Sequence, residues 1–165
     1  MAELPGTRED AAELDAQTLA VLQAATRVLA GVALHSVEIL DDTVTLSQFR
    51  LLAVLADLGT TRSVRVARTL GLEASTVTRL ADRLVAAGHV ARGKEPRHRG
   101  VVTLRLTRSG RDLVDQVAEW RKQELGRILG QLTPADRARI TAALSQLVDA
   151  AGEGYGMASR RLVPV

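Results

Sequence analysis

The chain contains no cysteine and almost no aromatic residues, and these absences exclude several classes of protein. Without cysteine there is no disulfide framework, no cysteine-ligated zinc, no iron–sulfur cluster and no thiol redox sensor. The aromatic residues are Phe49, Trp120 and Tyr155, one of each kind in 165 residues. The core must therefore be built from leucine, valine, isoleucine and alanine, which pack best between helices.

Long apolar segments are also absent from the sequence. The longest uninterrupted apolar run, residues 28–34, is much shorter than the roughly 18 residues that a membrane span needs. The first residues have no basic start and no apolar centre, so no secretion signal is expected. Hydrophobic residues make up 46% and charged residues 25% of the chain, a globular balance that excludes wholesale disorder. We therefore expect a soluble, cytoplasmic protein with no membrane partner.

Positive charge is concentrated in the middle third of the chain. The net charge is only +3, but residues 62–111 hold twelve arginine or lysine residues against the three acids Glu73, Asp82 and Glu95. Arginine supplies 20 of the 22 bases, and its planar fork suits phosphate and guanine. A basic centre between acidic ends favours a polyanion partner, with DNA or RNA first. The alternative is a solvated basic face that is balanced by acids elsewhere.

The spacing of apolar residues predicts a mostly helical chain. A long amphipathic helix with a narrow apolar stripe is predicted over residues 10–40. Thr45 and Gln48 fit a capping box at the start of a second helix, which we expect to end at Gly59.

A helix-turn-helix is predicted next. A short helix over residues 64–70, capped by Ser63, precedes a tight corner at Gly71 and a second helix over residues 74–87. Valine and leucine form the buried stripe of the second helix, and polar residues including Arg79 occupy its outer face. Two short helices joined by a glycine-containing turn are typical of a helix-turn-helix.

Two strands and two further helices complete the prediction. Residues 89–92 and 101–106 alternate apolar with polar residues and are predicted to be strands. In the second strand, Val102 and two leucines face the same side. A basic loop, residues 93–100, joins them, and a hairpin directly after a helix-turn-helix is the wing of a winged helix. A helix is predicted over residues 107–132, and Thr133 is the predicted N-cap of a final helix.

The terminal helices carry apolar residues that a lone DNA-binding lobe cannot cover. These residues are Leu14, Val21, Val28, Leu144 and Leu147. We therefore predict an obligate homodimer held by the first helix and the last two helices.

Three sequence blocks, taken together, resemble the MarR (multiple antibiotic resistance regulator) family. They are LSQFRLLAVL at residues 46–55, ASTVTRLADRL at 74–84 and LTRSG at 106–110, in the family's order and spacing. The resemblance covers roughly residues 10–151. It implies a mainly α (α+β) winged helix-turn-helix with long N- and C-terminal dimerisation helices. The implied function is a homodimeric repressor that binds double-stranded DNA, uses no cofactor and is released by a small-molecule effector.

The resemblance also implies a division of the chain and exposes two departures from the family pattern. The expected parts are an N-terminal dimerisation helix (1–44), a DNA-binding lobe (45–106), C-terminal dimerisation helices (107–152) and a flexible tail (153–165). Family wings commonly read Asp-Pro-x-Asp-Arg-Arg, but here His98 replaces an acid and Gly100 replaces an arginine. Glu73 stands where a serine usually caps the recognition helix, and glutamate is a poor cap.

The candidate DNA-binding residues lie on the recognition helix, on the wing and around the shorter helix. They are Ser75, Thr76, Thr78, Arg79, Arg83, Arg97, Arg99, Arg62 and Arg65. The first five are early enough on their helix, or on the outer face, to reach bases or phosphates. The alternatives are a solvated arginine pair tied to Asp82, an ordinary exposed wing loop, and surface charge at Arg62, Arg65 and Arg68.

The candidate effector-binding residues are His35, Arg50 and Trp120. A dimer-interface or capping role is the favoured interpretation of His35, and a core or interface role that of Trp120. The histidines lack the spacing of a metal pair, so no metal site is expected, and no nucleophile motif indicates an enzyme. Two functions remain: a ligand-gated regulator, and a winged-helix architectural or interaction module that binds DNA without sensing. Titrating small molecules against a DNA complex separates them.

Overall fold

The computed structural model describes residues 16–40, 43–95 and 98–151, with the backbone alone at residues 98–100. Within these ranges the chain forms six helices and one antiparallel sheet with strand order β1-β3-β2. In chain order the elements are α1 (Ala16–Glu38), α2 (Leu46–Leu58), β1 (Thr61–Arg62), α3 (Ser63–Leu70), α4 (Ala74–Ala86), β2 (Val90–Glu95), β3 (His98–Leu106), α5 (Arg108–Leu129) and α6 (Pro134–Ala151). The predicted fold class, a mainly helical winged helix-turn-helix, is confirmed.

Helix α2 forms the centre of the core. Leu51, Leu52 and Leu55 are at most 1% exposed, and α2 packs against α3, α4, α5 and β3. Burying a leucine fully contributes roughly 1.5–3 kcal/mol. Both helices of the helix-turn-helix, α3 and α4, therefore pack against α2.

The helix ends test the predicted caps. The capping box is confirmed, since Gln48 N donates to Thr45 Oγ1 (3.3 Å) and Thr45 N donates to Gln48 Oε1 (2.8 Å). The predicted cap at Ser63 is wrong: Arg62 is the N-cap residue of α3 and makes no side-chain cap hydrogen bond. The reason is that Arg62 is extended and paired in β1 with Thr103, so the helix begins directly after the strand.

The helix-turn-helix and wing follow the predicted order. Gly71 joins α3 to α4 in the left-handed conformation (φ 64°), which favours glycine. The strands reach further than predicted, because pairing continues through Gly93 and Thr103 into the segment expected to be a loop. A Cβ on Gly93 would lie 2.8 Å from Thr103 Oγ1, so glycine permits this close pairing. Strand β1, two residues long, was not predicted.

The inward face of β3 is buried only near the helices. Leu104 and Leu106 are buried, whereas Val102, which was predicted to face the same way, is 42% exposed. Val102 pairs with Lys94, where the hairpin extends beyond the helical layer. The wing therefore projects from the lobe.

Helices α1 and α6 are exposed over most of their length. Residues 16–30 of α1 are all exposed, and α6 buries no residue. The exposed large apolar residues on the two helices are Leu19, Val21, Leu22, Val28, Leu29, Leu34, Ile140, Leu144, Leu147 and Val148. The predicted shortage of partner surface within one chain is thus confirmed for four of its five residues, and Leu14 lies outside the described residues.

By length and composition alone, α1 could cross a membrane. The sequence prediction counted only uninterrupted apolar runs and so did not detect this. Small polar residues such as Thr18 and Thr26 interrupt the apolar sequence of α1, but they do not make the helix strongly polar. Buried core helices and signal sequences near the N-terminus pass the same test, so one helix of this kind is weak evidence for a membrane span.

Candidate nucleic-acid interface

The outer face of α4 is polar because its inner face is fixed in the core. Val77, Ala81 and Leu84 are at most 1% exposed, and this helical spacing turns Arg79 and Arg83 outward. Both arginines are exposed. The helix thus presents two guanidinium groups one turn apart.

Neither of these arginines is neutralised by the nearby acid. Asp82 Oδ1 lies 2.7 Å from Nη1 of Arg92 on β2. Arg79 makes only a long hydrogen bond (3.4 Å) to the Thr76 hydroxyl, and within the described ranges neither Arg79 nor Arg83 forms an ion pair. The alternative of an arginine pair tied to Asp82 is therefore not what this structure contains.

The small polar residues of α4 lie in its first turns. Ser75 and Thr78 are exposed and Thr76 is half-buried. The Thr78 hydroxyl donates to Ala74 O (2.9 Å), which leaves only its acceptor lone pairs for another molecule. Glu73 makes no side-chain cap hydrogen bond, as its poor capping propensity predicts.

A basic cleft of about 750 Å³ lies between α3 and the wing. It is lined by Arg62, Arg65 and Arg68 together with Glu95. Arg62 Nε and Nη2 each donate to a carboxylate oxygen of Glu95 at 2.7 Å. This hydrogen-bonded pairing raises the pKa of Arg62. Across the described part of the chain, Arg65 and Arg68 have no such acid partner.

The two predicted wing arginines are Arg97 and Arg99. Arg97 lies outside the described residues, and Arg99 lies on the described backbone of β3. Their predicted role therefore stays a prediction.

A second, largely apolar cavity of about 580 Å³ lies among α1, α2, α3 and α5. Arg50 lines it, but His35 and Trp120 do not. The His35 side chain is 67% exposed, and its Nδ1 is 2.8 Å from Gly31 O. Gly31 O lies within α1 and is not one of the four terminal carbonyls of a helix that ends at Glu38, so this contact is not a cap, and the role of His35 stays a prediction. Of the three predicted effector residues, the cavity includes only Arg50.

Among the cavity residues that were not predicted from sequence, Arg121 on α5 makes the most defined contacts. Its guanidinium lies 5.6 Å from the centroid of the Phe49 ring and donates to Ser36 Oγ (2.7 Å) and Ala33 O (3.3 Å). Burial lowers the pKa of Arg121. The available signal was its spacing, because Arg121 follows the buried Val117 by four residues and so shares its helix face.

Comparisons with known proteins give a consistent result. A family profile described as MarR family matches residues 42–99. The HTH-type transcriptional repressor MdtR of Bacillus subtilis is 33% identical over 109 residues, 64% of this chain and 70% of that repressor.

Solved structures agree over most of the chain. RV1404 from Mycobacterium tuberculosis is 35% identical, with a TM-score of 0.77 over 90% of this chain and 100% of that one. A MarR family protein from Bacillus stearothermophilus is 26% identical, with a TM-score of 0.72 over 84% and 98% of the two chains.

Proposed function

The chain belongs to the MarR family of transcriptional regulators, and from this we propose that it is a homodimeric, ligand-released repressor in the cytoplasm. Its target is a pseudo-palindromic operator in double-stranded DNA. The observation that carries the proposal is the outer face of α4, where Arg79 and Arg83 are exposed and have no ion-pair partner in the described structure.

Each part of the basic lobe has a role in this proposal. Helix α4 enters the major groove, where Ser75, Thr76 and Thr78 are close to bases or phosphates and Arg79 and Arg83 span groove and backbone. Arg65 contacts phosphate from α3. The wing brings Arg97 and Arg99 to the minor groove.

The dimer is supported by the exposed apolar residues of α1 and α6. Val28 is 53% exposed and Leu147 is 48% exposed, and exposed apolar patches larger than a few hundred Å² mark interaction sites. In the proposal a second copy of the chain covers these residues, as the resemblance to the family implies. Two-fold symmetry then presents two recognition helices to major grooves about 34–36 Å apart.

Release by a small molecule is supported by the apolar cavity. Its volume of about 580 Å³ falls within the roughly 300–1,000 Å³ typical of ligand sites. Thr69 and Leu70 of α3 form part of its lining, so an occupant touches the helix-turn-helix directly. This contact favours a ligand-gated regulator over the alternative, an architectural DNA-binding module without sensing.

The test is a binding titration on the purified full chain. Fluorescence anisotropy with the DNA upstream of its own gene is expected to show tight binding that weakens steeply with salt, because phosphate contacts release counterions. Adding a panel of small apolar and amphipathic molecules to the complex is expected to release the DNA. Binding that no molecule reverses would favour the module without sensing, and binding that salt does not weaken would contradict the interface.

A further inference from the structure

We propose that two ion pairs, Arg62–Glu95 and Asp82–Arg92, clamp the wing to the helix-turn-helix and set its position for DNA. In this proposal, Glu95 and Asp82 are positioning residues for operator binding. The inference rests on the proposed function, since it concerns how that DNA-binding lobe is held in shape.

The first clamp joins Arg62, the last residue of β1 and the N-cap residue of α3, to the far part of β2. Arg62 and Glu95 are 33 residues apart in sequence and share two hydrogen bonds of 2.7 Å. A bidentate arginine–carboxylate pair fixes orientation as well as distance. The pair lies where the β2–β3 ladder becomes irregular, at the register shift between Lys94 and Glu95. The clamp therefore acts where backbone pairing alone defines the hairpin least.

The second clamp joins the recognition helix to the near part of β2. Arg92 Nη1 lies 2.7 Å from Asp82 Oδ1, and its Nη2 donates to Thr78 O at 3.4 Å. Arg92 thus bridges two turns of α4. With one clamp on α4 and one on the β1 residue that leads directly into α3, β2 is tied to both ends of the helix-turn-helix.

Asp82 and Glu95 are two of the few acids in the strongly basic lobe, so their effect on DNA binding can distinguish the clamp from charge alone. Residues 62–111 contain only three acids, and each acid repels DNA phosphate and so weakens binding. Two of the three, Asp82 and Glu95, hold an arginine of the wing or its neighbouring strand. An account based on charge alone predicts that removing Glu95 strengthens DNA binding. The clamp predicts the opposite, because a displaced wing loses its operator contacts.

The experiment compares two variants that change charge by the same amount. Glu95→Gln removes one negative charge and one of the two acceptor oxygens of the Arg62 pair, which weakens that clamp. Glu73→Gln removes one negative charge from the same lobe at a residue that forms no ion pair within the described ranges. We expect Glu95→Gln to weaken operator binding about two- to fivefold while binding to unrelated duplex DNA is unchanged or tighter. Glu73→Gln is expected to bind both DNAs equally well or more tightly. Tighter operator binding by Glu95→Gln would overturn the proposal.

A charge swap and a measurement without DNA complete the test. The double variant Arg62→Glu, Glu95→Arg restores the pair in reverse and is expected to recover most of the operator affinity that either single change removes. Hydrogen exchange of the β2 and β3 amides in the free protein is expected to be faster in Glu95→Gln than in the wild type. Unchanged exchange would contradict the clamp, even if the wild-type chain bound no DNA and the proposed function failed.

Discussion

Individual arginine side chains differ in whether an acid holds them. Arg62 and Arg92 are bound to carboxylates of the same lobe, whereas Arg79 and Arg83 have no ion-pair partner in the described ranges. In the proposed function, the paired arginines hold the lobe in shape and the unpaired ones bind DNA. Local sequence cannot make this distinction, because Glu95 is 33 residues from Arg62.

Replacing Arg79 by alanine tests the recognition face. We expect Arg79→Ala to lose about 1–3 kcal/mol of operator binding and to relax sequence preference at its position. The fold should be intact, since the side chain is exposed. The measurement is affinity for operator against scrambled DNA, with circular dichroism to check folding.

Lys122→Ala is the matched control for Arg79→Ala. It removes one positive charge from α5, where Lys122 is 77% exposed and pairs with Glu119, and is expected to leave discrimination unchanged. If the Arg79 variant kept wild-type discrimination, α4 would not present its recognition face as proposed.

Gly110 allows α5 to pack closely against the chain that enters the wing. A Cβ at this position would lie 2.1 Å from His89 O, a backbone atom. We expect Gly110→Ala to destabilise the protein by about 1–3 kcal/mol, as overpacking does. In contrast, a Cβ on Gly126 in the same helix meets nothing within 4 Å, so Gly126→Ala should stabilise by about 0.4–1 kcal/mol. Chemical denaturation of both variants checks the pair, and equal effects would contradict the close packing.

At the scale of helices and strands, the ends of α2 and α3 differ in how they are capped. Thr45 caps α2 through its side chain, whereas Ser63 is already the first residue of α3. We expect Thr45→Ala to lower the free energy of unfolding by about 0.5–2 kcal/mol and Ser63→Ala to change it by less than about 0.5 kcal/mol. Unfolding at matched protein concentration measures both. A larger loss of stability in Ser63→Ala would indicate that Ser63 caps α3, as the sequence predicted.

Elements defined by local signals could be predicted from sequence, and those defined by tertiary pairing could not. Helix α2 follows from its capping box and Gly59, and α4 follows from the spacing of Val77, Ala81 and Leu84. Strand β1 is two residues long and exists only because β3 pairs with it, so it has no periodicity to detect.

The same distinction, between local signals and tertiary contacts, applies to the candidate site. The exposure of Arg79 and Arg83 follows from helical periodicity and was predictable. The Arg62–Glu95 pair and the burial of Arg121 against Phe49 depend on contacts between distant segments, which one sequence does not reveal.

At the scale of the whole molecule, the exposed apolar residues of α1 and α6 are the surface that the proposed dimer covers. Leu144 and Leu147 are 40% and 48% exposed in the single chain. Because they are three residues apart, they lie on the same face of α6. We expect Leu147→Asp to shift the chain toward monomer, lower its stability and abolish tight operator binding, since two lobes must act together. Sedimentation velocity at micromolar concentration measures the state.

Arg139→Asp on the same helix is the control for charge, because its side chain is 79% exposed and pairs only with a neighbouring acid in the described structure. It is expected to leave the dimer intact. A folded wild-type monomer at micromolar concentration would contradict the proposed assembly.

The most direct test of the central claim is a footprint of the purified protein on DNA fragments selected from its own genome. The account predicts protection of an inverted repeat, with half-site centres about 10 base pairs apart on one face of the duplex. It also predicts protection that is lost steeply as salt rises. A single asymmetric half-site, or protection insensitive to salt, would contradict a two-fold regulator that reads DNA with the exposed arginines of α4.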